Sequence, residues 1–210
     1  MMIFFEARLV FFAVPKTGST AYHAALSERA DIIFRNRPGL KHTNTRRFDR
    51  EIQPFLRDIY GLRPERLALM RAPLDHLASW YRYRTRLPEG APKSTAGISF
   101  DAFVEASLSD APPAFADVGS QLGFLTNREG ALRVHHLCAS ENTAAVLGFL
   151  EARLGGGIEV ARRNVSPPAE TQLDPGLEAE FRAARAAEFA LYERVAESGY
   201  LRSEMSLPAR

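Results

Sequence analysis

Along the chain, short unbroken apolar runs alternate with longer stretches in which hydrophobic residues return every three to four positions. The runs at residues 8–14 (RLVFFAV), 31–35 (DIIFR), 66–71 (RLALMR) and 132–137 (LRVHHL) read as four buried strands. Helical spacing follows the first run from Ser19 to Arg29, with Tyr22, Ala25 and Leu26 on one face. Residues 43–60 place Phe48, Ile52, Phe55, Leu56 and Ile59 on one stripe, and Pro54 should kink or split that helix. Pro73 opens a further helix that runs to about Arg86. Shorter helices are expected over 100–108 and over 140–153, the latter closed by Gly155-Gly156-Gly157. Asp174-Pro175 is a cap and first-turn pair for a last helix, which carries Leu177, Phe181, Ala184, Leu191 and Val195 inward and ends near Gly199. Between these lie a turn at Arg37–His42 and a Pro/Gly-rich segment, 87–97, that reads as a mobile loop.

Strand and helix alternate from residue 8 to residue 153. That order predicts an α/β fold, a three-layer αβα domain with a central, mainly parallel sheet, over a single domain spanning 1–210. Composition fits it. With 46% hydrophobic and 25% charged residues in 210, the chain can fill one core and resembles neither a disordered chain nor a fibre. A net charge of +2 does not suggest a polyanion-coating protein, so no nucleic-acid partner is expected. The apolar first fourteen residues carry Glu6 and Arg8, are too short to span a bilayer and lack the marks of a signal peptide. No membrane span is expected, and a cytoplasmic location is the default. Cys138 is the single cysteine, which excludes an internal disulfide; the five histidines form no spaced ligand set, so no metal site is expected.

In sheets of this kind ligands bind beyond the carboxyl ends of the strands. The first strand runs into Pro15-Lys16-Thr17-Gly18-Ser19-Thr20 and then a helix. Free backbone amides and the helix dipole favour an anion there, Lys16 adds a point charge, and Thr17, Ser19 and Thr20 add hydroxyls. The lysine precedes the glycine, and no glycine stands upstream, so the order is not that of a Walker A loop. An ordinary strand-to-helix turn capped by serine would give the same bare pattern.

This strand, P-K-T-G-S-T and helix resembles the 5′-phosphosulfate loop of sulfotransferases that use 3′-phosphoadenylyl sulfate (PAPS). A second segment, Arg71-Ala72-Pro73 with Ser79 eight residues after the arginine, is similar to the 3′-phosphate element of the same family. The resemblance implies the P-loop-like sulfotransferase fold, PAPS as sulfuryl donor, no metal, and a carbohydrate or other small hydroxyl acceptor. By it, Pro15, Lys16, Thr17, Gly18, Ser19 and Thr20 form the cofactor-binding loop, in which Lys16 contacts the bridging oxygen between phosphate and sulfate and Gly18, Ser19 and Thr20 hold the 5′-phosphate, while Arg71 and Ser79 hold the 3′-phosphate. The acidic residue usual after the arginine is Ala72 here. Many relatives also carry a basic segment late in the chain that closes over the nucleotide; Arg162, Arg163 and Ser166 are its candidates, and a solvated basic loop is the alternative reading. His42, after the second strand, is comparable to the catalytic histidine of carbohydrate-type members and is the candidate base; a turn histidine facing water would look the same. His76 is a second, weaker candidate. One of His135 and His136 should be a core histidine, and Glu141 a cap or ion-pair partner. Arg82, Arg84 and Arg86 read as a solvated helix surface, because residues two apart do not share a face. Two other readings share the fold: an ATP-dependent P-loop-type kinase, and a nucleotide-binding protein without catalysis.

Of 27 basic residues, 24 are arginine and three are lysine: Lys16, Lys41 and Lys93. Coding bias accounts for the ratio over the surface. At Lys16 the choice matters, because a compact ammonium on a flexible stem is not interchangeable with a guanidinium.

Overall fold

The computed structural model describes residues 1–161 and 170–205. Among them a six-stranded sheet runs in the order β3-β1-β2-β4-β5-β6. Its strands are β1 (Met2–Phe4), β2 (Leu9–Phe11), β3 (Ile32–Ile33), β4 (Glu65–Met70), β5 (His136–Ala139) and β6 (Tyr200–Arg202). The central strands β2, β4 and β5 are parallel, with Val10 opposite Arg66 and Ala68 opposite Leu137. The outer pairings β1–β2, β1–β3 and β5–β6 are antiparallel. The sheet is therefore mixed, which corrects the expectation of a mainly parallel one. The cause is local: the first apolar residues fold back as a hairpin, and a hairpin adds an antiparallel strand without a crossover helix. Its tight turn closes where the Arg8 amide donates to the Phe5 carbonyl at 3.0 Å and Arg8 takes a left-handed φ of 47°.

Both faces of the sheet are buried. Ile3, Val10, Phe12, Ala68, Met70 and Leu137 point into one core, against Phe48, Leu56, Leu125 and Val195. Met2, Leu9, Phe11, Leu67, Leu69 and Cys138 point into the other, against Tyr22, Leu26, Val146 and Leu150. Alternating side chains that are all apolar give the unbroken runs seen in the sequence. The helices over these faces are α1 (Ser19–Ala25), α2 (Pro38–Lys41), α3 (Thr45–Arg47), α4 (Gln53–Tyr60), α5 (Pro73–Arg84), α6 (Phe100–Leu108), α7 (Gln121–Leu125), α8 (Thr143–Leu154), α9 (Pro175–Ala184) and α10 (Ala186–Ala196). A third cluster joins α5, α6, α9 and α10 through Leu77, Tyr81, Phe103, Phe181 and Phe189.

Several elements depart from expectation for identifiable reasons. Between α3 and α4 the chain makes a π-helical turn, Phe48–Ile52, just before Pro54. The wide turn accommodates the missing proline N–H without breaking the helix. It also rotates α4 about its axis, since each residue advances a helix by roughly 100°. Phe48, Ile52 and Leu56 stay buried, whereas Phe55 and Ile59, expected on the same stripe, are 47% and 66% exposed. The last helix breaks at Arg185, and Ala184, expected inward, is exposed. The fourth strand begins later than expected, at His136; residues 132–134 contribute only an isolated bridge from Leu132 to Thr126. Segment 87–97, read as a loose loop, is pinned to α5: Thr95 is fully buried and its hydroxyl donates to the Tyr81 carbonyl at 3.0 Å.

Candidate functional site

Because β2, β4 and β5 are parallel, the segments after them open on one edge of the sheet. They bring Lys16, Arg71 and Glu141 to that edge. The path after β2 is fixed by its own carbonyls. The Ala13 carbonyl accepts from His42 Nδ1 at 2.7 Å, and the Val14 carbonyl accepts the Thr17 and Ser19 hydroxyls at 3.0 and 3.5 Å. The Pro15 carbonyl accepts from His76 Nε2 at 3.1 Å, and the Lys16 carbonyl from Arg71 Nη1 at 3.5 Å. Four successive carbonyls are thus occupied by side chains from different parts of the chain. Left-handed φ values at Lys16 (65°) and Gly18 (76°) complete the bend. Glycine takes that conformation freely; lysine does so only where its surroundings hold it there.

These bonds divide the loop's polar groups. Thr17 and Ser19 are buried, and their hydroxyl protons serve the Val14 carbonyl. Thr20 is exposed and accepts from Lys41 Nζ at 3.3 Å. The loop backbone remains for an anion: no backbone hydrogen bond among the described residues uses the amides of Lys16, Thr17, Gly18, Ser19 or Thr20.

Lys16 lies at the centre of a cationic cluster. Burial, then the charges of Arg86, Arg71 and Arg82, lower its pKa from 10.5 to about 8. Its ammonium rests on the Tyr83 ring, 4.4 Å from the centroid, and lies 5.9 Å from that of Trp80. Arg82 and Arg86 are four apart on α5 and its C-terminal turn, so they share a face, and both reach Lys16 electrostatically. Arg84 does not: it is buried and donates to the Ala114 and Asp117 carbonyls. The reading as solvated surface is therefore corrected for Arg84; Arg86 is exposed and Arg82 half-buried, and the i,i+4 pair was the signal that reading missed.

Arg71 is oriented through its backbone. Its amide donates to Gln121 Oε1 and its carbonyl accepts from Gln121 Nε2, both at 2.8 Å. Gln121, buried at the start of α7, is itself held by Glu188, whose carboxyl burial pushes up in pKa. Neither Gln121 nor Glu188 carries a motif that a single sequence exposes. Glu141 caps α5, accepting from the Ala72 amide at 2.9 Å, and Ser79 is buried on the second turn. Arg162, Arg163 and Ser166 lie outside the described residues.

His42 Nδ1 must carry the ring's proton to donate to Ala13, which leaves Nε2 with a lone pair in the neutral form. Burial, more than the charge of nearby Lys41, lowers its pKa despite that bond. His76 is almost fully buried, and burial with the charges of Arg71 and Lys16 lowers its pKa to about 4. His136 is a satisfied core histidine between Glu65 and Tyr200. Beside the loop lies a cavity of about 270 Å³ between Val14–Pro15, Trp80 and the start of α7. Among the described residues no group of His, Cys, Asp or Glu is arranged to hold a metal ion, and no helix is long and apolar enough to cross a membrane.

Comparison of the chain with protein-family models, with curated proteins and with solved structures finds no match. Fold and site together define a class: an α/β chain with a mixed sheet and a cation-lined, amide-rich loop at the carboxyl ends of its parallel strands.

Proposed function

We propose that the chain is a PAPS-dependent sulfotransferase that transfers a sulfuryl group to the hydroxyl of a carbohydrate or other small acceptor. The observation that carries the reading is the convergence of Lys16, Arg71, Arg82 and Arg86 on one loop with open backbone amides. A donor nucleotide bearing a phosphosulfate and a second phosphate needs a cation for each group. The loop after β2 and the segment after β4 supply one each, in the order in which the two sequence motifs occur.

In this reading the loop amides hold the 5′-phosphate and Arg71 with Ser79 holds the 3′-phosphate, where the planar guanidinium matches phosphate oxygens. Arg82 and Arg86 add charge along the same face, and Arg162 and Arg163 are candidates for the nucleotide's other side. The acceptor oxygen attacks sulfur in line as the sulfur–oxygen bond to the phosphate breaks. His42 Nε2 takes the hydroxyl proton. Lys16 meets the charge that grows on the leaving phosphate oxygen, a contact stronger in the transition state than before it. The scheme uses no metal.

The test is thermal stabilisation by adenosine 3′,5′-bisphosphate (PAP) without magnesium, against ATP with magnesium. Stabilisation by PAP that exceeds that by ATP is the expected result. The reverse order favours the kinase reading and defeats this one. A PAPS-coupled acceptor screen on the His42→Ala variant then separates catalysis from binding: PAP should still bind while turnover is lost.

A further inference from the structure

The cavity beside the loop has an unbalanced set of hydrogen-bonding groups. Asn44 Oδ1 is committed to the Arg47 amide at 2.9 Å, which leaves its NH₂ group as the part open to a ligand. Ser120 Oγ already accepts from the Gly123 amide at 2.9 Å, which leaves its hydroxyl proton to donate. Arg46 stands exposed at the rim with one nitrogen on the Gly123 carbonyl at 3.1 Å, and its other N–H groups remain. Against these three donors stands one side-chain acceptor. His76 gives its Nε2 proton to the Pro15 carbonyl, so Nδ1 is the only ring atom it can offer. No carboxylate lines the space among the described residues, and Phe124 and the Trp80 ring supply apolar wall.

A ligand rich in acceptors matches this excess of donors. A volume of about 270 Å³ lies near the lower end for small-molecule sites and suits a monosaccharide-sized compound. We propose that this cavity is a ligand seat and that its occupant is a small hydroxylated carboxylate. The carboxylate lies toward Arg46 and Asn44, and one hydroxyl donates to His76 Nδ1. The assignment does not rest on the sulfotransferase reading. The positive field of Lys16 and Arg71, which reaches His76, favours the same sign of ligand.

Trp80 is the only tryptophan in the chain, so its fluorescence reports on this cavity directly. The probes are D-gluconate and its neutral counterpart D-glucitol, titrated at constant ionic strength with PAP present and absent. Gluconate should change the emission and bind at least about tenfold more tightly than glucitol, as a charge-assisted bond predicts. Arg46→Ala should bring gluconate down to the glucitol level with PAP affinity unchanged. Asn44→Asp keeps the capping oxygen but replaces the donor with a negative charge, and should do the same. Equal binding of the two probes, or gluconate binding indifferent to both variants, overturns the acid seat. Failure of PAP to bind removes the donor reading instead, and gluconate titrated alone still decides the seat.

Discussion

The two ends of β4 use arginine in opposite ways. At the amino end, the Glu65 carboxylate pairs with Arg153, with His136 at 3.2 Å and with Arg202 at 3.9 Å, while Asp49 pairs with Arg66 and with Arg133 at 3.3 Å. At the carboxyl end, Lys16, Arg71 and Arg82 take part in no ion pair among the described residues. Composition cannot distinguish the two groups. Pairing can: a cation with its carboxylate in place is part of the scaffold, whereas cations crowded together without one raise each other's energy and favour an incoming anion.

The largest effect should come from breaking the scaffold end. Arg66 is fully buried beneath Phe48, its ring centroid 4.9 Å from the guanidinium, and Asp49 is its carboxylate. Asp49→Asn leaves that charge buried without a counter-charge, at about 3–5 kcal/mol. Thermal unfolding should move down by roughly 10 °C, since each kcal/mol is worth about 2–4 °C at this chain length. PAP binding to the folded fraction should not change. A Tm within a degree or two of wild type would remove the contrast at its stronger pole.

Arg71→Ala tests the other end and should show the opposite profile. Tm should stay close to wild type, and PAP affinity should fall about 10- to 100-fold, the value of a charge-assisted bond of about 1.5–3 kcal/mol. Unchanged affinity would withdraw the 3′-phosphate assignment. The smallest effect is in pH. Lys16 is protonated below about pH 8 and neutral above it, so its folded-state pKa sets the window. PAP affinity should be full below pH 8 and weaken as pH rises through it, by tenfold or less. Lys16→Arg should flatten that slope, because a guanidinium does not titrate there, and should lose turnover while keeping affinity. A slope that persists in the variant would assign the titration to another group.

Much of this was legible in the chain. The apolar runs named the central strands, because strands buried on both faces leave no alternation to hide. Pro15 to Thr20 and Arg71-Ala72-Pro73 were found because each follows its strand directly. The hairpin strand β1 was missed because a continuous apolar stretch from Met1 to Phe5 shows no period, and its turn contains no glycine or proline. The exposure of Phe55 and Ile59 could not be read because Pro54 marks a kink or a split but not the π turn that absorbs it and changes the register. Gln121 and Glu188 act on Arg71 from 50 and 117 residues away in sequence, and only the packing of α7 and α10 brings them together.

The four carbonyls from Ala13 to Lys16 carry a consequence for how the molecule folds. Three of their partners, His42, His76 and Arg71, lie 29, 61 and 55 residues away. The loop cannot take its final path until β2, α2 and the β4–α5 unit have docked, so no early, locally formed intermediate contains it. A ligand that recognises the loop therefore binds only the finished chain. Its binding energy is added to the stability of the whole sheet, and amide exchange in β2 and β4 should slow as strongly as in the loop itself.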